Sequence, residues 1–287
     1  MAYLGFDEFA TYKLSGGSAT TFGFTDDGDI GTSEQDVEFR KGIGGQICPV
    51  WGMVIPRANV RGIYKGEDFL DNCAANSAGA LPPLFESIAG GILGVTLLAY
   101  DLQTAYVDRI RVSCGGQGSP IEYEIDFVGL GIANTYVTTV TPNATADYVG
   151  YWGAVTLAGA AFEVQDWEVE LNNNLRAEGD CDVKINGTRR LPTTIEPGEV
   201  AARARLTMKL PLENLGLFDD IPNLPIATMS VAIGNGYTTK TITLRDLWIT
   251  NRPVPLEESD SNVLFEAELR TTPNLLGASG TANWEVS

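Results

Sequence analysis

Two alternating runs separated by a turn-rich connector, within residues 161–212, constrain this chain more than any other feature. In residues 166–171, Trp167, Val169 and Leu171 alternate with Asp166, Glu168 and Glu170. That period of two is the mark of a strand with one buried face. The run stops at Asn172, Asn173 and Asn174. In residues 200–210 the even positions Val200, Ala202, Ala204, Leu206, Met208 and Leu210 are apolar, while Arg203, Arg205, Thr207 and Lys209 point the other way. Pro197 and Gly198 mark its start. Laid side by side and antiparallel, the acidic face of the first strand meets the basic face of the second. Cross-strand pairs of this kind contribute about 0.2–1 kcal/mol each.

The first half carries a similar pair. Residues 105–113 and 121–128 read as a hairpin closed by Cys114-Gly115-Gly116-Gln117-Gly118, whose glycines supply positive φ at low cost. Ile121, Tyr123, Ile125 and Phe127 alternate with Glu122, Glu124 and Asp126, and Arg109 and Arg111 occupy the exposed face of the partner. No Lys-Ser or Lys-Thr follows the glycines, so they form no phosphate loop. Residues 94–128 and 153–210 look like diverged copies with their charges exchanged, basic then acidic in one and acidic then basic in the other. Ordinary pairing within each hairpin accounts for that exchange, and so does an alternation of two halves around a ring.

Elsewhere the chain is also β-leaning. Residues 1–40, rich in Gly, Thr, Ser and Asp, read as an extended arm that becomes fixed on a neighbouring subunit. Its Asp27, Asp29, Gly31, Ser33 and Glu38 fit a calcium loop poorly, because Thr32 stands where the turn needs Gly. Pro49 and Pro56 confine residues 46–64 to an edge or bulged position. Residues 67–75 and 213–220 read as short helices, residues 134–148 as a linker, and residues 227–234 and 238–249 as a hairpin across Asn235-Gly236. Residues 263–270 form a last strand burying Val263, Phe265, Ala267 and Leu269. The fold class is mainly β, with a boundary near residue 145.

Composition excludes several functions. The 287 residues suffice for one large β domain or two ordinary ones. With 19 basic against 37 acidic residues the net charge is −18, which repels DNA phosphates and anionic lipid and disfavours a sequence-specific nucleic-acid binder or a membrane-bound protein. The absence of His removes His-based triads and the commonest transition-metal ligand. Cys48, Cys73, Cys114 and Cys181 are widely spaced, read as free thiols, and signal neither a redox motif nor a zinc site. No cofactor, metal or catalytic residue is expected. The first ten residues lack the pattern of a signal peptide, and the apolar run 88–100 is too short for a membrane helix.

The order of a strand ending in an Asn-Asn-Leu-like turn (Trp167 to Leu175), a connector, an Ile-x-x-Gly entry (Ile195-Glu196-Pro197-Gly198) and a long alternating strand resembles the tail tube, or major tail, proteins of long-tailed bacteriophages. The resemblance implies tail-tube-like β-sandwich or barrel units, here two in tandem over residues 41–145 and 146–287. It implies a structural virion protein, assembled in the host cytoplasm, that forms rings stacked into the conduit for DNA ejection. The implied partners are other copies of the chain, tail proteins such as the tape measure and terminator, and DNA passing without specific contacts. If both halves are tube units, three subunits supply the sixfold set of sheets. If only the second is, six do. The alternative is an extracellular β-sandwich that binds carbohydrate or acts as an adhesin, with Trp51, Trp152, Trp248 or Trp284 stacking on sugars. Glycoside hydrolysis needs only two carboxylates, so pairs such as Glu122 with Glu124, or Glu168 with Glu170, offer an enzymatic reading, but residues two apart on one strand face are more often a solvated stripe.

Overall fold

The computed structural model describes residues 8–22, 24–34, 38–41, 47–50, 54–75, 79–92, 97–116, 118–137, 148–178, 191–209, 226–251, 264–271 and 283–287. Most of them are strand. The first half supplies β1 (Glu8–Leu14), β2 (Thr20–Thr21), β3 (Phe24–Glu34), β4 (Glu38–Lys41), β5 (Ile47–Val50), β6 (Val54–Ile63), β7 (Phe85–Ile92), β8 (Leu97–Cys114) and β9 (Glu122–Val137). The second supplies β10 (Val149–Leu157), β11 (Ala160–Phe162), β12 (Val164–Asn172), β13 (Arg176–Glu178), β14 (Thr194–Glu196) and β15 (Ala201–Lys209). The chain closes with β16 (Ile226–Gly234), β17 (Thr239–Asn251), β18 (Leu264–Thr271) and β19 (Trp284–Val286). Of the two helices expected, the first is a short 3-10 helix at Asp68–Asn72, and residues 213–220 lie outside the described residues.

Fifteen strands form one sheet in the order β11-β10-β16-β17-β18-β15-β12-β8-β7-β1-β2, with β9, β6 and β3 continuing from β8 and β19 beside β17. All its pairings are antiparallel. Two long strands make this branching possible. One edge of β8 is lined by β9 throughout, while its other edge carries β7 along residues 101–105 and β12 along residues 109–114. In the same way β17 holds β16 on one edge and, on the other, β19 along residues 242–244 and β18 from Leu247 onward. Thr104 lies just before the first change of partner and Asp246 at the second. Both have φ of 52°, a left-handed bend that non-glycine residues seldom adopt.

The apolar faces of these strands meet in one cluster that runs from Ala10 to Trp284 and includes residues of both halves. The expected alternation is realised there: Trp167, Val169, Leu171, Val200, Ala202, Ala204, Leu206 and Met208 are all buried. Side chains against the 3-10 helix complete it, with the rings of Tyr12 and Phe22 centred 4.7 Å apart and Phe69 touching both. Lys240 Nζ on β17 reaches Asp71 of that helix at 2.7 Å, so the second half's hairpin docks on the first half, and within the second half Tyr148 Oη lies 2.7 Å from Thr238 Oγ1.

The described residues change several expectations. Residues 8–14 and 24–34, expected within an arm on a neighbouring subunit, pair with β7 and β6 of their own chain. Ala10, Tyr12 and Phe22 provide the buried area that the Gly-rich composition of the segment conceals. Likewise β6 is not an edge strand, since it lies between β3 and β9. Pro56 is tolerated because the pairing with β9 begins only at Arg57. Residues 134–137, expected to open a linker, extend β9. The Asn235-Gly236 hairpin forms as expected: Asn235 Oδ1 accepts from the backbone N–H groups of Tyr237 and Thr238 at 3.0 and 2.9 Å, and Gly236 has φ of 84°.

Candidate functional site

The opposite face of the same strands carries charge, and the charges alternate in sign from strand to strand. β6 presents Arg57, Asn59 and Arg61, and β9 presents Glu124 and Asp126. β8 follows with Arg109 and Arg111, β12 with Glu168 and Glu170, β15 with Arg203 and Arg205, and β18 with Glu266, Glu268 and Arg270. A period of two in every strand and consistent registers across the sheet make this one ladder rather than separate hairpin pairs. Arginines and carboxylates stand on it in near-equal number, although the chain as a whole carries −18.

Most candidate residues of the sequence fall on this ladder. Arg109 donates to Asp126 at 2.8 Å and to Glu124 at 3.0 Å. Arg111 lies 2.6 Å from Glu168 on β12 and 3.8 Å from Glu124 on β9, which joins the two hairpins across the sheet. Arg203 donates to Glu170 at 2.7 Å. Arg205 stands opposite Glu168 in the strand register, as expected, but its guanidinium turns to Glu266 on β18. Glu122 faces Ser113, and Asp166 faces Thr207. Lys209 stands opposite Leu264 at the end of β15.

Glu124 is the hub. Its side chain is 14% exposed and within reach of Arg61 at 2.9 Å, Arg109 and Arg111. Glu170 is more enclosed still, at 9%, and has Arg203 as its counter-ion. The Arg203 guanidinium offsets part of the cost of enclosing that charge. Burial works against the charge of Arg109, but Asp126, Glu124 and Glu170 outweigh it and hold that guanidinium above its ordinary value. The sequence reading omitted Arg61, Glu266, Glu268 and Arg270, although residues 264–270 show the same alternation that revealed β12 and β15.

At the end of the ladder the Asn-rich turn and the Ile-x-x-Gly entry meet. Asn173 Nδ2 donates to the carbonyls of Val107 and Cys73 at 2.7 and 2.9 Å, and its N–H donates to the Asp108 carbonyl at 2.7 Å. Asp108 is the extra residue where the β8–β9 register shifts, and its carboxylate accepts from the Leu175 N–H at 2.8 Å. Burial pushes the Asp108 carboxyl above its usual range, against the pull of the Leu175 N–H and Arg57. Asn174, with φ of 48°, donates from Nδ2 to the Glu199 carbonyl at 2.5 Å. Gly198 lies so close to that turn that an added Cβ would sit 1.9 Å from the Asn174 carbonyl oxygen. The two motif pieces are thus halves of one packed corner, with Leu175 and Ile195 in a small apolar cluster beside Ile55 and Val128.

Other candidate features are accounted for structurally. Trp284 is buried and Trp248 half-buried, while the side chains of Trp51 and Trp152 lie outside the described residues. Cys73 and Cys114 are free and buried, and burial pushes both thiols up, which keeps them protonated and unreactive. Cys48 and Cys181 fall where side chains are not described. Glu124 is held by arginines, as are Glu168 and Glu170, an arrangement that suits a structural face.

Comparison with curated proteins returned no match. The family described as phage tail tube protein matches residues 91–280, a span that runs from the end of β7 to the approach of β19 and covers more than half of the chain. With its ladder, its Asn-rich corner and its almost wholly antiparallel architecture, the chain belongs to the phage tail tube protein family.

Proposed function

We propose that copies of this chain close into rings, that the rings stack into the tail tube, and that the laddered face lines the lumen through which DNA leaves the capsid. The observation that carries this reading is a wide sheet with one face packed in the core and the other charged but self-neutralised, with the ladder strands β8, β9, β12, β15 and β18 inside the segment matched to the family. Strands with one free edge, such as β3 and β11 among the described residues, are completed when a neighbour's sheet lies alongside. The partners on this reading are further copies of the chain and other tail proteins such as the tape measure and terminator. The protein is a non-enzymatic virion component assembled in the host cytoplasm.

On this reading residues 41–145 and 146–287 are two tube units, and three subunits make a pseudo-sixfold ring. The side-by-side placement of the β8–β9 and β12–β15 pairs supports it, because each contributes one acidic and one basic strand to the same face. End-on averaged electron micrographs of assembled protein test both levels. Threefold rings are expected. A true sixfold ring of whole subunits refutes the tandem arrangement, and a monomer that never forms rings under any assembly condition refutes the tube.

A further inference from the structure

The ladder poses a chemical question, because arginines on a flat sheet are good phosphate ligands. Arg61 and Arg203 have side chains about half exposed, and Arg111 is 42% exposed. A duplex lying on this face would find several guanidinium groups within reach. Each of them, however, already donates to a carboxylate on a neighbouring strand. Arg61 has Glu124, Arg111 has Glu168 and Glu124, and Arg203 has Glu170. These carboxylates are more enclosed than the arginines they hold, so a phosphate must compete with an anion fixed in place from beneath. Their negative charge also opposes its approach.

We propose that Glu124, Glu168 and Glu170 form a phosphate shield, fixed acceptors that keep the laddered arginines from gripping the DNA backbone while the sheet keeps its charge pairing. The inference rests on the reading that this face meets DNA. It goes beyond that reading by assigning the low adhesion to named residues. The role differs from simple repulsion by net charge: the face is close to neutral, and its arginines are occupied rather than absent.

The test is duplex DNA binding by the unassembled protein, followed by fluorescence anisotropy of a labelled linear fragment. Wild type is expected not to bind at 50 mM salt. The variant Glu124→Gln/Glu168→Gln/Glu170→Gln removes the carboxylates that Arg61, Arg111 and Arg203 hold among the described residues while keeping side-chain shape. It is expected to bind, with affinity falling about fortyfold between roughly 50 and 200 mM salt as three phosphate contacts are lost. If that variant does not fold, Glu124→Gln/Glu168→Gln spares the enclosed Glu170 and exposes Arg61 and Arg111, with a fall of about tenfold over the same range. A control with the same charge change at exposed carboxylates that hold no cation among the described residues, Glu178→Gln/Glu196→Gln/Glu199→Gln, is expected not to bind. A folded ladder variant that ignores DNA overturns the shield, and so does equal binding by the control, which would trace adhesion to net charge. A second arm builds tails from the double variant. Slower DNA ejection supports the placement of this face in the lumen, whereas normal ejection by a variant that binds DNA in solution overturns that placement and leaves the charge chemistry standing.

Discussion

Replacing Gly198 by Ala tests whether the corner between the Asn-rich turn and β15 is held by contact rather than by backbone conformation. Gly198 does not have a positive φ, so its dihedral angles do not exclude alanine. What excludes it is space. The new Cβ would lie 1.9 Å from the Asn174 carbonyl oxygen and 2.7 Å from the Asn174 carbonyl carbon. Carbon atoms in good contact sit at about 3.5–4.0 Å, so the corner must open by roughly 1.5 Å. Both clashing atoms are backbone and cannot rotate away. Forced overpacking costs about 1–3 kcal/mol, and the opening also breaks the hydrogen bond from Asn174 Nδ2 to Glu199, worth about 1 kcal/mol. A total of about 3 kcal/mol corresponds to a fall in Tm of roughly 6–12 °C in a domain of this size. Scanning calorimetry measures it. Gly131→Ala is the matched control, because its Cβ would meet only Gln103 side-chain atoms at 3.7 Å, and it is expected to stay within about 0.5 kcal/mol of wild type. A Gly198→Ala protein that melts within about 1 °C of wild type would refute the packing argument.

Three further outcomes follow from the same structure. Leu206→Asp places a charge at a fully buried position on β15 and should prevent soluble folding, since an unpaired buried carboxylate costs several kcal/mol; normal solubility with unchanged melting would show that the buried face is misassigned. For Asp108, burial raises the folded-state pKa above the unfolded one, so folding loses free energy as pH rises through that interval and the penalty persists above it. Asp108→Asn lacks that penalty and should be more stable than wild type at neutral pH, with the advantage vanishing as pH falls below the ordinary carboxylate range; denaturant melts of both proteins as a function of pH would refute this by showing an advantage that grows toward acid. Thr104→Gly relieves a left-handed bend costing about 1–2 kcal/mol against a glycine penalty of about 0.5–1 kcal/mol, so its melting temperature should rise or hold, and a marked fall would assign the Thr104 side chain another role.

The strands with a regular period of two were legible because each residue's environment is written in its own neighbours. β12 and β15 are the clearest, and their antiparallel pairing followed from opposite charges on equivalent faces. The union of the two hairpins through β8 and β12 was not legible. Arg109 and Arg111 are already satisfied locally by β9, so nothing in the hairpin asks for a second carboxylate strand, and the contact between Arg111 and Glu168 is visible only once residues far apart in sequence are adjacent. The true length of β9 was hidden by Gly129 and Gly131, which read as a strand end. The place of residues 8–34 in the sheet was hidden by a composition that favours loops. Gly198 was recognised as a landmark of the entry to β15, but its reason, the backbone of Asn174, belongs to a turn more than twenty residues earlier.

Charge alone does not set the register of this sheet, and the β8–β9 hairpin shows what does. A one-residue slip turns the apolar face outward and is excluded on that ground. A two-residue slip keeps the faces and has two directions. In one, Arg109 moves from Asp126 to Glu124 and Arg111 from Glu124 to Glu122, so each arginine keeps a carboxylate opposite it, but Phe127 takes the place of Gly129 opposite Ala105. That place has no room: even a Cβ on Gly129 would lie 2.6 Å from Leu102 Cδ1 and 3.1 Å from the Gln103 carbonyl oxygen. In the other direction Gly131 fits opposite Ala105, but Arg109 then faces Val128 and loses its carboxylate. The glycine forbids one slip and the charges forbid the other. Gly129→Ala should therefore cost about 1–2 kcal/mol, less than Gly198→Ala because the nearest atoms belong to a leucine side chain that can turn, and denaturant unfolding against the Gly131→Ala control measures it. Equal stability of the two variants would show that the Leu102 contact does not hold the register, and would leave the charge pairs, each worth at most about 1 kcal/mol, as an insufficient explanation for a single pairing of these strands.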